Sequence, residues 1–168
     1  MISHNRIKGP GKAKGVATSG IEFPVGSVGT IDHNVVSGNI CPPTDDSCGT
    51  DWFNQFQMAG ITAGGWGPGT VITDNLLFGN QVGMLLGESD EIRGNRMIDN
   101  DFFGLVLFDG TFEIDDSLIK GGGGGVWAIA TGTDSHITLD DVKFRHLGGP
   151  KIEKVECCGF TATVKIDD

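Results

Sequence analysis

The sequence predicts an all-β fold of stacked coils, and three observations carry that prediction. A short motif recurs six times along the chain. A glycine-led apolar stretch follows each of its first five copies. Glycine accounts for 28 of 168 residues, well above the ~7% of ordinary domains. It shows no collagen period, so it marks repeated tight turns.

The motif places an isoleucine three residues before a polar residue, with another apolar residue two beyond it. The copies are Ile2-x-x-Asn5-x-Ile7, Ile31-x-x-Asn34-x-Val36, Ile72-x-x-Asn75-x-Leu77, Ile92-x-x-Asn95-x-Met97, Ile114-x-x-Ser117-x-Ile119 and Ile137-x-x-Asp140-x-Val142. Their spacings are 29, 41, 20, 22 and 23 residues. In the middle copies a second asparagine follows the first by five, giving Asn39, Asn80 and Asn100. The glycine-led strands begin at Gly15, Gly60, Gly83, Gly104 and Gly125. Each repeat reads as three short strands joined by turns, too small to bury its own apolar face, so neighbouring repeats must stack. Stacked coils sit ~4.8 Å apart. An asparagine at a bend then lies over its equivalent, and its amide can bond up the column. Asparagine is also expected to carry the left-handed backbone of that bend. An antiparallel sandwich would not need one spacing six times over.

This pattern resembles the right-handed parallel β-helix repeats of the pectate-lyase-like superfamily, closest to the short-coil repeats of proteins that act on or bind carbohydrates. The resemblance covers roughly Ile2 to His146. It implies a right-handed parallel β-helix of about six coils over residues 1–146, and it speaks weakly to activity. Two segments break the rhythm. Residues 40–58 read as an inserted loop. Residues 147–168, where "KIEKVEC" and "FTATVKI" flank a Cys-Gly pair, read as a capping hairpin of the same domain.

The formal charge of −10, from 12 basic and 22 acidic residues, argues against nucleic acid or anionic membrane as a partner. The local basic excess seen in the linear sequence is Arg6, Lys8, Lys12 and Lys14. No apolar signal segment follows Met1, and the chain opens inside a repeat, as a piece of a longer protein would; the compartment is left open. Cys41 and Cys48 could close the inserted loop, whereas Cys157 and Cys158 are adjacent. Their spacing is no zinc signature.

Superfamily enzymes lay substrate along the outer face of one sheet. Counting from the glycines, that outward row is Ala17, Thr62, Leu85, Val106 and Trp127. It lacks the acidic calcium ligands and the basic proton acceptor of a polysaccharide lyase. An apolar row of this kind calls for cover by a partner subunit or the inserted loop, or for stacking against sugar rings. Acids gather at the turns behind it. Glu88 and Asp109 both lie five residues after their glycine, so stacking sets them in neighbouring coils, where a carboxylate pair suits glycoside hydrolysis or calcium. In the inserted loop Asp51 stands beside Trp52 and Phe53, a combination suited to sugar recognition. His4 and His33 precede their asparagines as Asp74 does, which would form a column outside a bend.

The expected function is a non-catalytic glycan-binding or self-assembling module that uses Leu85, Val106, Trp127 and the Asp51–Trp52–Phe53 loop. The alternative is a polysaccharide hydrolase or lyase working through Glu88 and Asp109. Polysaccharide or a second copy is the expected partner. No cofactor or metal is called for, calcium having no support beyond the acids.

Overall fold

In the computed structural model the structure describes residues 1–12, 19–24, 26–41, 58–64, 69–87 and 91–167. They form three sheets in which every pairing is parallel and joins successive coils. The first sheet has seven strands: Ile2–Ser3, Gly29–Asp32, Thr70–Thr73, Glu91–Arg93, Gly110–Asp115, Ser135–Asp140 and Ala162–Asp167. The second has six: Arg6–Lys12, Val35–Ile40, Leu76–Phe78, Arg96–Ile98, Leu118–Lys120 and Lys143–Arg145. The third has six: Ile21–Phe23, Ala59–Ala63, Val82–Leu86, Phe103–Phe108, Gly124–Ala130 and Ile152–Glu156.

Residues one repeat apart face each other, and the core is a set of columns. Ile2, Ile31, Ile72, Ile92 and Ile114 are in register along the first sheet. Val36, Leu77, Met97 and Ile119 line the second and Ile61, Met84, Leu105 and Val126 the third, all 0–1% exposed. Each buried aliphatic of this size contributes roughly 1.5–3 kcal/mol by leaving water.

The asparagines sit inside the bend between the first and second sheets. Asn34 Nδ2 donates to Asn75 Oδ1 (3.1 Å) and Asn75 Nδ2 to Asn95 Oδ1 (3.0 Å). The same oxygens accept the backbone N–H of the preceding coil's asparagine, Asn34 N at 2.9 Å and Asn75 N at 3.0 Å. The Nδ2 of Asn75 also reaches the carbonyls of Ile31 and Thr73, both at 2.9 Å. Asn39, Asn80 and Asn100 build a second, shorter ladder between the second and third sheets. Asn34, Asn39, Asn75, Asn80, Asn95 and Asn100 are at most 3% exposed, and the ladder bonds satisfy buried donors that would otherwise be orphaned.

Three expectations change. The left-handed residue is not the asparagine but the one before it: φ is 57° at His4, 53° at His33, 56° at Asp74, 66° at Gly94, 42° at Asp116 and 48° at Asp141. The reversal there turns the following asparagine inward. The sixth copy is displaced by two residues, because Ile114 faces Leu139 and Asp115 faces Asp140. Strand alternation has period two, so both placements keep apolar residues inward. Asp141 then takes the bend, and Val142 stands where the ladder has Asn. Finally, the described residues of the tail, 147–167, form no capping hairpin. Ile152–Glu156 pairs in parallel with Gly124–Ala130, and Ala162–Asp167 with Ser135–Asp140. The Cys157–Phe160 turn, in which Phe160 N donates to Cys157 O (3.0 Å) and Cys157 and Cys158 are joined as a disulfide, is a coil corner. The division at residue 146 disappears with the hairpin.

The glycines that lead the third-sheet strands are demanded by close approach. A Cβ on Gly60 would lie 2.8 Å from the Gly83 carbonyl oxygen and 3.0 Å from Asn80 Nδ2. We therefore expect Gly60→Ala to cost about 1–3 kcal/mol, as overpacking does. Asn75→Ala strips partners from buried groups on both neighbouring coils and should cost at least about 2 kcal/mol. At the exposed Asn5 the same change should cost under about 1 kcal/mol. Urea midpoints of the three variants check the order; an Asn5 loss equal to that of Asn75 would contradict the ladder's role.

Candidate functional site

The outward row of the third sheet runs as expected, with Thr62, Leu85, Val106 and Trp127 in register. Val106 is 0% and Trp127 3% exposed within the single chain. A second apolar cluster forms outside the sheet from Ala59, Val82, Phe103, Val106, Trp127 and Ile129. Phe103 stacks on Trp127 (5.5 Å between centroids, 18° between planes), and Phe102 meets it edge-on at 5.3 Å. The strand entry therefore supplies part of the cover over Trp127, which counting from the glycines could not show. Leu85 stays half-buried.

Where these strands end, the face opens into a cavity of about 490 Å³ crossing four successive coils, within the ~300–1,000 Å³ of ligand clefts. Thr62, Leu85 and Phe108 are among its walls, with Asp109, Gly132 and Thr133 at the turn side. Phe108 was missed in the sequence, although it lies two residues beyond Val106 and period two places it on the same face.

Asp109 sits at the turn with φ 46°, and its carboxylate is engaged by the coil above. It accepts the backbone N–H of Thr131 at 2.7 Å and of Gly132 at 3.1 and 3.2 Å. A longer bond of 3.4 Å comes from Thr133 N. Asp134 repeats the device one coil on, accepting Thr161 N at 2.7 Å and the Thr161 hydroxyl at 3.2 Å. These acids brace the next turn. Glu88, the other member of the expected pair, lies outside the described residues, as do Asp51, Trp52, Phe53, Ala17 and Cys48. Among the described residues no three His, Cys, Asp or Glu side chains converge in a way that could hold a metal ion.

The histidine column does form. The rings of His4 and His33 stack at 5.0 Å, 3° from parallel, and His33 Nδ1 lies 3.2 Å from Asp32 Oδ2. The column borders the second sheet and lies away from the cavity.

That second sheet carries a feature the linear sequence hid. Its inward residues are Ile7, Val36, Leu77, Met97, Ile119 and Phe144, so the flanking positions face out. In register these are Arg6, Val35, Leu76, Arg96, Leu118 and Lys143 in one column and Lys8, Ser37, Phe78, Ile98, Lys120 and Arg145 in the other. Six are cationic and none is acidic, in a chain of net charge −10. The outward first-sheet positions include Asp32, Asp115, Asp140 and Asp167 alongside Arg93 and Lys165, so that face is mixed with acids in excess, whereas the second sheet's outward columns hold cations and no acid.

The Thr161 backbone N–H, then its hydroxyl, hold the Asp134 carboxyl below its ordinary 3.8. A depressed carboxylate contributes stability that is complete above the unfolded value and is lost as pH falls through the lower folded one. Acid unfolding followed below about pH 4 should thus be shallower in Asp134→Asn than in wild type; identical acid limbs would show that the bond contributes nothing.

No curated protein and no solved structure matches the chain. A family profile described as right-handed beta helix region matches residues 2–144, which takes in most of the parallel coils and both asparagine ladders. The chain belongs to the right-handed β-helix family.

Proposed function

We propose that the protein is a non-catalytic module that binds a stretch of glycan chain in the cavity at the end of the third sheet. The observation that carries this reading is the cavity's make-up. It is an elongated trough of about 490 Å³ with Leu85 and Phe108 on its apolar side and Thr62, Thr133 and Asp109 as polar groups. Sugars present apolar ring faces and polar edges, and a cleft with an apolar bed and a few placed polar groups suits both.

The state of Asp109 supports binding over chemistry. Its oxygens already accept three backbone N–H bonds, the arrangement of a turn brace. Self-assembly through Leu85, Val106 and Trp127 draws little support from a row whose last two members are covered within one chain.

The test is a panel of neutral and acidic oligosaccharides titrated against wild type and Phe108→Ala. We expect at least one ligand, released unchanged, whose affinity falls about tenfold in the variant, the ~1.4 kcal/mol of a lost aromatic contact. Cleaved products that disappear in Asp109→Asn would replace this reading with the catalytic one. No ligand at all, or equal affinity in Phe108→Ala, would refute it.

A further inference from the structure

The corner after the last third-sheet strand holds chemistry that neither the cavity nor the ladders use. Cys157 and Cys158 are joined to each other there, and both are exposed. Phe160 N donates to Cys157 O at 3.0 Å, closing a four-residue turn whose central residues, Cys158 and Gly159, have φ of 64° and 92°. Positive φ at both positions is the backbone of a type I′ turn. Glycine suits it, and cysteine does not. Among the described residues every other non-glycine at positive φ is His or Asp, types enriched in that region. Backbone preference therefore does not account for a cysteine at position 158, whereas its sulfur does.

The bond is not a structural staple. A disulfide stabilises by closing a loop in the unfolded chain, and the effect grows with loop length. This one joins neighbours in sequence and ties no two elements together. The corner is anchored without it. Cys157 N donates to Ala130 O at 3.0 Å and Ser135 N to Thr161 O at 2.9 Å. Thr161 N donates to Asp134 Oδ1 at 2.7 Å and Ala162 N to Glu156 Oε1 at 2.9 Å. Opening the sulfur bond would therefore alter the tip of the turn and leave Ile152–Glu156 and Ala162–Asp167 paired to the coil below.

We propose that Cys157–Cys158 is a redox site that accepts two electrons from a dithiol. A thiolate of the donor attacks one exposed sulfur and forms a mixed disulfide, and the other cysteine leaves as a thiolate that takes up a proton. The donor's second thiol, having lost its proton, displaces the first cysteine, which is protonated in turn. The donor ends as a disulfide and the protein as two thiols, so two electrons and two protons pass between them. Exposure opens both sulfurs to that attack, and exposed disulfides are the labile ones. Because the cysteines are neighbours, their sulfurs stay within reach of each other after reduction. A disulfide of the same class then restores the bond by the reverse steps.

The test uses the full chain under native conditions, with dihydrolipoate as a small dithiol and reduced thioredoxin as a protein one. Each is followed by iodoacetamide and peptide mapping, which separates this pair from the disulfide-bonded Cys41. Neither cysteine should be alkylated before a donor is added. Both should be alkylated after it, with circular dichroism unchanged, and oxidised lipoate should restore the starting state. The two arms tell a small donor from a protein one. Cys157→Ser/Cys158→Ser should lose the reaction and melt with wild type, as removal of a bond that closes no loop requires. Phe108→Ala should react as wild type does, so the outcome is independent of the cavity reading. Alkylation before any donor, reduction only in denaturant, no reaction with either dithiol, loss of β structure on reduction, or a double serine variant that melts well below wild type would each overturn the proposal.

Discussion

Everything in this molecule depends on keeping successive coils in register, and the bonds between stacked asparagines are what enforce it. Backbone pairing alone would tolerate a slip, since any strand can pair with any neighbour. A slip of one residue would drive the isoleucine columns outward, and a slip of two would bring the wrong side chain beneath each amide. In the ladder, Asn75 Oδ1 accepts both the Asn34 backbone N–H and the Asn34 amide, while Asn75 Nδ2 returns to the Ile31 carbonyl two residues before the preceding bend's end. One residue thus ties together two coils at three points, all out of water, where unmade bonds are costly. Register in turn places the exposed columns of the laddered coils, so the cavity inherits its geometry from a contact that does not touch it.

What the sequence reveals follows from this arrangement. The isoleucine and asparagine columns were legible because buried, stacked positions tolerate few residue types, and Ile2, Ile31, Ile72, Ile92 and Ile114 all meet the same demand. The left-handed bend was not. It is filled by His, Asp or Gly, residue types with no side-chain chemistry in common, and what His4 and His33 share with Asp74 and Asp116 is the backbone. The tail misled for another reason. Alternation with a Cys-Gly turn describes a hairpin and also two consecutive solenoid strands around a corner; only pairing partners separate them, and those are 26 or 27 residues away.

The candidate sites divide in the same way. The outward direction of Leu85, Val106 and Trp127 was readable from local parity. The packing of Phe102 and Phe103 on Trp127 was not, since it brings residues from the strand's own start back over its outer face. The cationic columns of the second sheet were invisible because Arg96, Lys120 and Arg145 sit in separate repeats, each looking like an ordinary solvated charge. Asp109 shows the converse: an acid conspicuous beside a strand end proves to be tied to the backbone of the coil above.

Val142 in the asparagine slot has one more consequence. The first ladder closes at Ser117, which accepts from Asn95 N (3.2 Å) and donates to its own Asp115 carbonyl (2.9 Å), and beyond it the coils stack on backbone pairing and on side chains such as Phe112 and Phe144. A solenoid folds by nearest-neighbour addition, so assembly of this one has a direction. The doubly laddered coils around Asn75, Asn80, Asn95 and Asn100 form the seed, and the coils after Ser117 zip onto it. Amide exchange would then run along the axis as a gradient, slowest at the seed and fastest past Val142, so that a molecule with one continuous core opens like a chain released from one side.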